Sequence, residues 1–253
     1  MLKLFKRKKE TTQQANAKSK TIFCIPGRWK DRSEIVTSIV EKNLGEFIFA
    51  GNILLNVKTN QGFAVEIHER DERMRLSFEY SGKVNRLSNE FLDEISNHTD
   101  VIYVIAETGN LRDAHAIAEA GLAVLNAGGL GLKVESTGKA FTKEHWTRLL
   151  TDFEEANLYE MFVLDSINNG QGTTYSCGMH NLGLKDSIVS DLEVQVAVNL
   201  LSVFGYYQIV DKPTIRDKQT FSTRADSPVF QITNEAHQPN QGDELFENPY
   251  GMW

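Results

Sequence analysis

His115 and Glu119 stand four residues apart in the segment AHAIAEAGLAVLN, and His180 follows Cys177 in the segment CGMHNLG. On a helix, side chains four apart share a face. Glu119 could therefore orient the His115 imidazole as a general base. With His180 brought to the same cleft, the set would make a hydrolase-type or metal-dependent centre. Cys177-x-x-His180 has the spacing of half a zinc site, which His115, His145 and Glu135 could complete. Successive residues of a strand alternate faces, so Cys177 and His180 can act together only if the chain turns at Gly178. Glu107 and Glu135 fall at ends of expected strands on either side of the helix, where α/β proteins place ligands. Against each of these stands a plainer reading. His115 and Glu119 are also an ordinary surface pair, and Cys177 and His180 a structural thiol beside a loop histidine. The plainer reading is the one adopted here.

Other chemistries are missing a necessary part. A phosphate loop needs several glycines between a strand and a helix N-terminus. Gly109 stands alone in that position, and Gly128-Gly129 follows a helix instead of preceding one. There is no Gly-x-Ser-x-Gly nucleophile elbow. No cofactor is implied.

Charge points to a partner instead. Residues 1–20 hold seven Lys or Arg against Glu10, a charge of +6, which leaves −13 for residues 21–253 of the −7 total. An acidic body disfavours nucleic acid, whose binding rests on neutralising phosphates, and suits a basic protein partner. Glu66, Glu69, Asp71 and Glu72 are the candidate partner-binding patch. No run approaches the ~20 apolar residues of a membrane span. Met1, Leu2, Leu4 and Phe5 beside the basic run could still touch an anionic membrane surface. Two cysteines make no disulfide framework, and the N-terminus lacks a secretory apolar core, so the expected compartment is the cytoplasm.

The elements that must position these residues follow from periodicity and punctuation. The organising stretch is residues 100–136: a strand, a turn at Gly109, a helix capped by Asn110, a stop at Gly128-Gly129, and a second strand. Before it the pattern reads strand 21–26, helix capped by Asp31 or Ser33, strand 46–57, strand 63–68, strand 74–80 on the alternation Met74, Leu76, Phe78, Tyr80, and a helix capped by Ser88. After it come a helix capped by Thr142, strands 159–165 and 173–179, a helix capped by Asp191, and a last strand 206–210. The order β-α-β-β-α-β thus occurs twice, with one extra strand in the first half. The fold class expected is α+β, two ferredoxin-like βαββαβ halves with an internal duplication, joined by a central helix. The domains expected are a disordered basic arm 1–20, a first half 21–109, a connecting helix 110–129, a second half 130–211, and a tail 212–253. The aromatic close of that tail, DELFENPYGMW, is expected to dock on the body.

Three stretches, AHAIAEAGLAVLNAGGLGLKVESTG with Trp146 after it, GMHNLG and NPYG, resemble an uncharacterised bacterial family (DUF4261-like) over residues 45–253. The resemblance implies a fold but no mechanism, and it suggests an antidote or secretion-accessory setting. Together these readings give a bacterial cytoplasmic protein-binding module, immunity- or antitoxin-like. The alternative is an enzyme using His115, Glu119 and His180 between the halves.

Overall fold

The computed structural model describes residues 18–240 and 242–253. Residues 1–17, with most of the expected basic arm and its apolar residues, lie outside the described residues. The chain runs β1 (Ser19–Gly27), α1 (Arg32–Lys42), β2 (Phe47–Ala50), β3 (Ile53–Asn56), β4 (Gln61–Glu69), α2 (Met74–Ser81), α3 (Asn89–Ser96), β5 (Asp100–Thr108), α4 (Leu111–Asn126), β6 (Gly131–Val134) and β7 (Lys139–Thr142). It continues α5 (Lys143–Thr151), α6 (Asn157–Phe162), β8 (Leu164–Asn168), β9 (Thr173–Cys177), a 3-10 turn Met179–Leu182, β10 (Ile188–Ser190), α7 (Val194–Val210), β11 (Thr220–Phe221), β12 (Phe230–Gln231) and a 3-10 turn Glu244–Phe246. This is an α+β protein.

Its centre is a seven-stranded sheet of order β2-β3-β4-β5-β1-β6-β7. Every pairing in it is antiparallel. A second sheet has the order β10-β9-β8. This corrects the expectation of two ferredoxin-like halves. Such a half would set β1 between its own last strand and its own hairpin. Here β1 lies between β5 and β6, and β6 comes from the expected second half. The strands of residues 131–142 complete the first sheet, while β8, β9 and β10 stand apart from it, as does the β11-β12 pair. The central helix α4 therefore does not join two domains. It is the crossover between β5 and β6, which run parallel with β1 between them.

The capping signals acted as their chemistry demands. Asn110, Ser88, Thr142 and Asp31 each accept a backbone N–H from the third residue on. The spacing in α4 predicts one apolar face of Leu111, Ala114, Ile117, Ala118, Gly121, Val124 and Leu125; all of these but Leu111 are buried, and Ala120 and Ala123 widen the face. Gly121 is required by close approach, because a Cβ there would stand 2.7 Å from Leu132 and 3.0 Å from Phe23.

Four expected strands are corrected. Residues 74–80 form a helix, because Met74 and Phe78, four apart, are buried while Leu76 and Tyr80 are exposed. The alternation was therefore that of one helical face plus two surface apolars. Residues 46–57 make two strands, turned at Gly51 with φ 60°. Residues 157–162 are the helix α6, with β8 beginning only at Leu164. Residues 206–210 are the end of α7, a 17-residue apolar element too long to be a strand. Glu193, and not Asp191, caps it.

The main core lies on one face of the seven-stranded sheet. Phe23, Leu54, Phe63, Val104, Leu132 and Phe141 meet α1, α4 and α5 there. On the other face α2 and α3 cover only Cys24, Val101 and Ala140 with their neighbours. In the segment 248–253, Met252 is buried and bridges both Asp186 and Glu235. Among the described residues no helix is long and apolar enough to cross a membrane.

Candidate functional site

The GMHNLG segment is a folded knot of backbone. Gly178 has φ 121° and Gly183 φ 76°, conformations side chains rarely adopt. A Cβ at Gly178 would strike the Phe162 carbonyl, and one at Gly183 the Gly109 carbonyl. Between them Met179, His180, Asn181 and Leu182 are all buried. Asn181 Oδ1 accepts from the Thr21 hydroxyl at 2.6 Å and the Ser136 hydroxyl at 2.9 Å, while its Nδ2 donates to the Gly178 carbonyl at 3.0 Å. Thr21 and Thr108 hydroxyls meet at 2.7 Å. Strand β1, strand β5 and the loop after β6 are thus pinned to this turn.

Asp186 is the second hub. Its Oδ1 accepts from the Ser176 hydroxyl at 3.1 Å and the Met179 N–H at 3.2 Å, and its Oδ2 from Asn248 Nδ2 at 2.6 Å. His180 Nδ1 lies 3.7 Å from Oδ2. The imidazole is fully buried, and neither ring nitrogen has a hydrogen-bond partner among the described residues. The GMHNLG segment, the NPYG segment through Asn248, and α4 through its contacts with the 3-10 turn meet in this one place.

The catalytic alternative needed His115, Glu119 and His180 in one cleft. The structure places His115 and Glu119 along an open groove of about 310 Å³, with Asn43, Phe47 and Leu150 among its walls. His115 packs on the Phe153 ring at 4.0 Å between centroids. His180 does not line that groove and is sealed in the knot. The expected zinc partners are also dispersed. His145 Nε2 pairs with Glu160 at 2.6 Å and Glu135 with Lys133 at 2.8 Å, while Glu107, the carboxylate expected at a strand end, pairs with Lys18 at 2.7 Å. The chain does turn at Gly178, but the Cys177 thiol faces the Ser136 and Phe246 carbonyls while His180 faces Asp186. Among the described residues no three His, Cys, Asp or Glu are grouped to hold a metal ion.

The acidic patch is balanced by its own neighbours. Glu66 pairs with His68 at 3.2 Å, Asp71 with Arg73 at 3.0 Å, and Glu72 with Arg70 at 3.0 Å. Hydrogen bonds from Arg73 hold the Asp71 carboxyl below its usual range. Glu69 is exposed. Exposed pairs of this kind contribute little to stability, and they leave little uncompensated charge at that spot.

A surface that the motifs did not predict lies across the sheet. The register aligns Ala50, Ile53, Ala64, Ile105 and Ile22 in one row over β2, β3, β4, β5 and β1. Ile48 pairs with Leu55 in the next row, and Val57 continues it. Ile53 is 53% exposed, Val57 50% and Ile48 37%. Ile22, Leu55 and Ile105 are half-buried, and none of them packs against either core cluster. Helices α2 and α3 stop short of this half of the face. Glu66 and Glu107 stand on the same face beside the row, by the same alternation.

No family model, curated protein or solved structure matches the chain.

The function therefore has to be argued from this geometry. Sequence motifs located His180 and Asn181 within GMHNLG but gave no role to Asp186, which lies outside any motif. The signal for the open row was present in the run ILLNV at 53–57, where apolar residues occupy both alternations of a single strand. Such a strand is apolar on both faces and needs a cover for each.

Proposed function

We propose that the chain is a non-catalytic protein-binding module that takes a basic, amphipathic polypeptide segment on the open half of its seven-stranded sheet. One observation carries this reading: a contiguous aliphatic surface, in register over five strands, that belongs to neither core. Contiguous exposed apolar surface rimmed by polar groups marks an interaction site. At a strand spacing of about 4.8 Å, the row runs roughly 19 Å, the length of a short strand or three to four helical turns. A polypeptide side fits that shape better than a compact small molecule, which takes a concave site. The charge of −13 on residues 21–253 favours Lys or Arg at the partner's margins. The separation of His115 and Glu119 from His180 supports binding over catalysis.

The test immobilises the full chain and captures proteins from an extract of the native cell. Three forms are compared: wild type, Ile53→Asp, and Val196→Asp as a control on the exposed start of α7, where Val196 is 51% exposed. A basic protein held by wild type and Val196→Asp but lost from Ile53→Asp supports the reading. A captured set that Ile53→Asp leaves unchanged contradicts it. So does self-association of the wild type in sedimentation that Ile53→Asp abolishes, because a second copy would then be the occupant.

A further inference from the structure

We propose that residues 244–253 form a strap that opens as a unit and uncovers the buried His180–Asp186 pair. This device does not depend on the sheet-face reading, because it involves other elements. The strap is held by edge hydrogen bonds and one deep anchor. Trp253 N–H donates to the Asp186 carbonyl at 2.8 Å, Ile188 N–H to the Trp253 carbonyl at 2.8 Å, and Glu235 N–H to the Met252 carbonyl at 3.1 Å. Asn248 Nδ2 donates to both Leu184 O and Asp186 Oδ2, at 3.0 and 2.6 Å. Met252 is the strap's one fully buried apolar side chain; the Trp253 ring lies 3.8 Å beneath the Lys185 ammonium. Segments with few buried apolar contacts open locally, well below the free energy of global unfolding.

Two further features give the opening a direction. An open pocket of about 720 Å³ borders the strap, walled by Lys18, Lys20, Lys185, Glu235 and the strap's own Asn248 and Tyr250. On the other side of Asn248 sits an imidazole with no hydrogen-bond partner among the described residues, next to the carboxylate that Asn248 bonds. Buried polar groups are nearly always satisfied, and packing gives no account of this exception. Release of Asn248 joins the pair to the pocket.

The two cysteines make the opening measurable in the full chain. The Cys177 thiol is buried beneath the strap, 3.7 Å from the Phe246 carbonyl. The Cys24 thiol is buried under α2, 3.7 Å from the Met74 sulfur. The protein is exposed to excess thiol reagent, and modification is followed site by site by mass spectrometry. In the wild type, Cys177 is expected to react at least about tenfold faster than Cys24, since its exposure needs only the local opening. Asn248→Ala is expected to speed Cys177 by about tenfold more and leave Cys24 unchanged. One common rate for both thiols, tracking global unfolding, would overturn the proposal, as would equal acceleration of both by Asn248→Ala. Should Asn248→Ala not fold, hydrogen exchange of the wild-type amides at 188, 235 and 253 decides. Exchange faster than at residues 102–104 of β5 supports a strap, and exchange only with β5 refutes it.

Discussion

The two faces of the seven-stranded sheet are built from much the same side chains and meet opposite surroundings. On one, Phe23, Phe63, Val65 and Val104 lie under α1, α4 and α5 and are sealed from water. On the other, Ile22, Ile53, Leu55 and Ile105 sit in the same strands, often one residue away, and among the described residues they belong to neither core cluster. Burial here is decided by topology and not by residue type. The helices α2 and α3 that cross this second face reach only the end that carries Cys24 and Val101. Among the described residues no element covers these aliphatic side chains, and the proposed partner would take them.

The contrast can be tested from its strongest side first. Phe23 stands edge-on to Trp146 at 5.3 Å and stacks on Phe162 at 5.9 Å. Phe23→Ala should cost about 3–5 kcal/mol in urea denaturation, the range for an aromatic lost from a packed core. A cost near that of a surface change would mean the covered face is not the core it looks to be. Next, Asn181→Ala removes the acceptor shared by Thr21 and Ser136, and should cost about 1–3 kcal/mol by depriving Ser136 of that acceptor and leaving Thr21 with Thr108 alone. A value below that would show the knot to be loosely held.

A third prediction uses Lys139, whose ammonium is buried against the Val163 carbonyl at 2.8 Å and bonds the Glu160 carbonyl too. Burial lowers its pKa to about 8, against the partial opposition of Asp165 and Glu160. The folded value lies below the unfolded 10.5, so between those values the unfolded chain binds more protons and stability rises with pH. Below about pH 8 both states are protonated and the penalty is present in full. Urea midpoints should therefore rise from about pH 8 to about pH 9.5 relative to those of Lys139→Met. A parallel pair of curves would place the ammonium in water. The smallest stability effect is expected on the open face, where Ile53→Asp should stay within about 0.5 kcal/mol of wild type. A loss of several kcal/mol would mean that Ile53 is part of a core after all.

How much of this could be read beforehand varies with the range of the interaction. The caps at Asn110, Ser88, Thr142 and Asp31 and the buried face of α4 were legible, because they depend on residues within a turn or two. The helix at 74–81 was misread because Leu76 and Tyr80 imitate the alternation of a strand, and only the buried pair Met74 and Phe78 shows the true period. The duplication was misread because element order repeats while strand order does not: β6 joins β1, a pairing over 110 residues apart that no local pattern reveals. The candidate site divides in the same way. His180 drew notice by its spacing from Cys177, but its actual neighbour, Asp186, and the Asn248 that closes over it are set by the backbone turns at Gly178 and Gly183. The run ILLNV marks one strand of the apolar row, but the row's extent over β2, β3, β4, β5 and β1 follows only from their register.

The most direct measurement of the central claim is the affinity of the captured basic protein for wild type and for Ile53→Asp at low and at moderate salt. The account predicts a loss of at least about thirtyfold on Ile53→Asp, roughly 2 kcal/mol of binding free energy. It also predicts wild-type binding that weakens as salt screens the charge of the acidic body, with the stability of Ile53→Asp unchanged. Equal affinities for the two forms would contradict it, whatever the salt dependence.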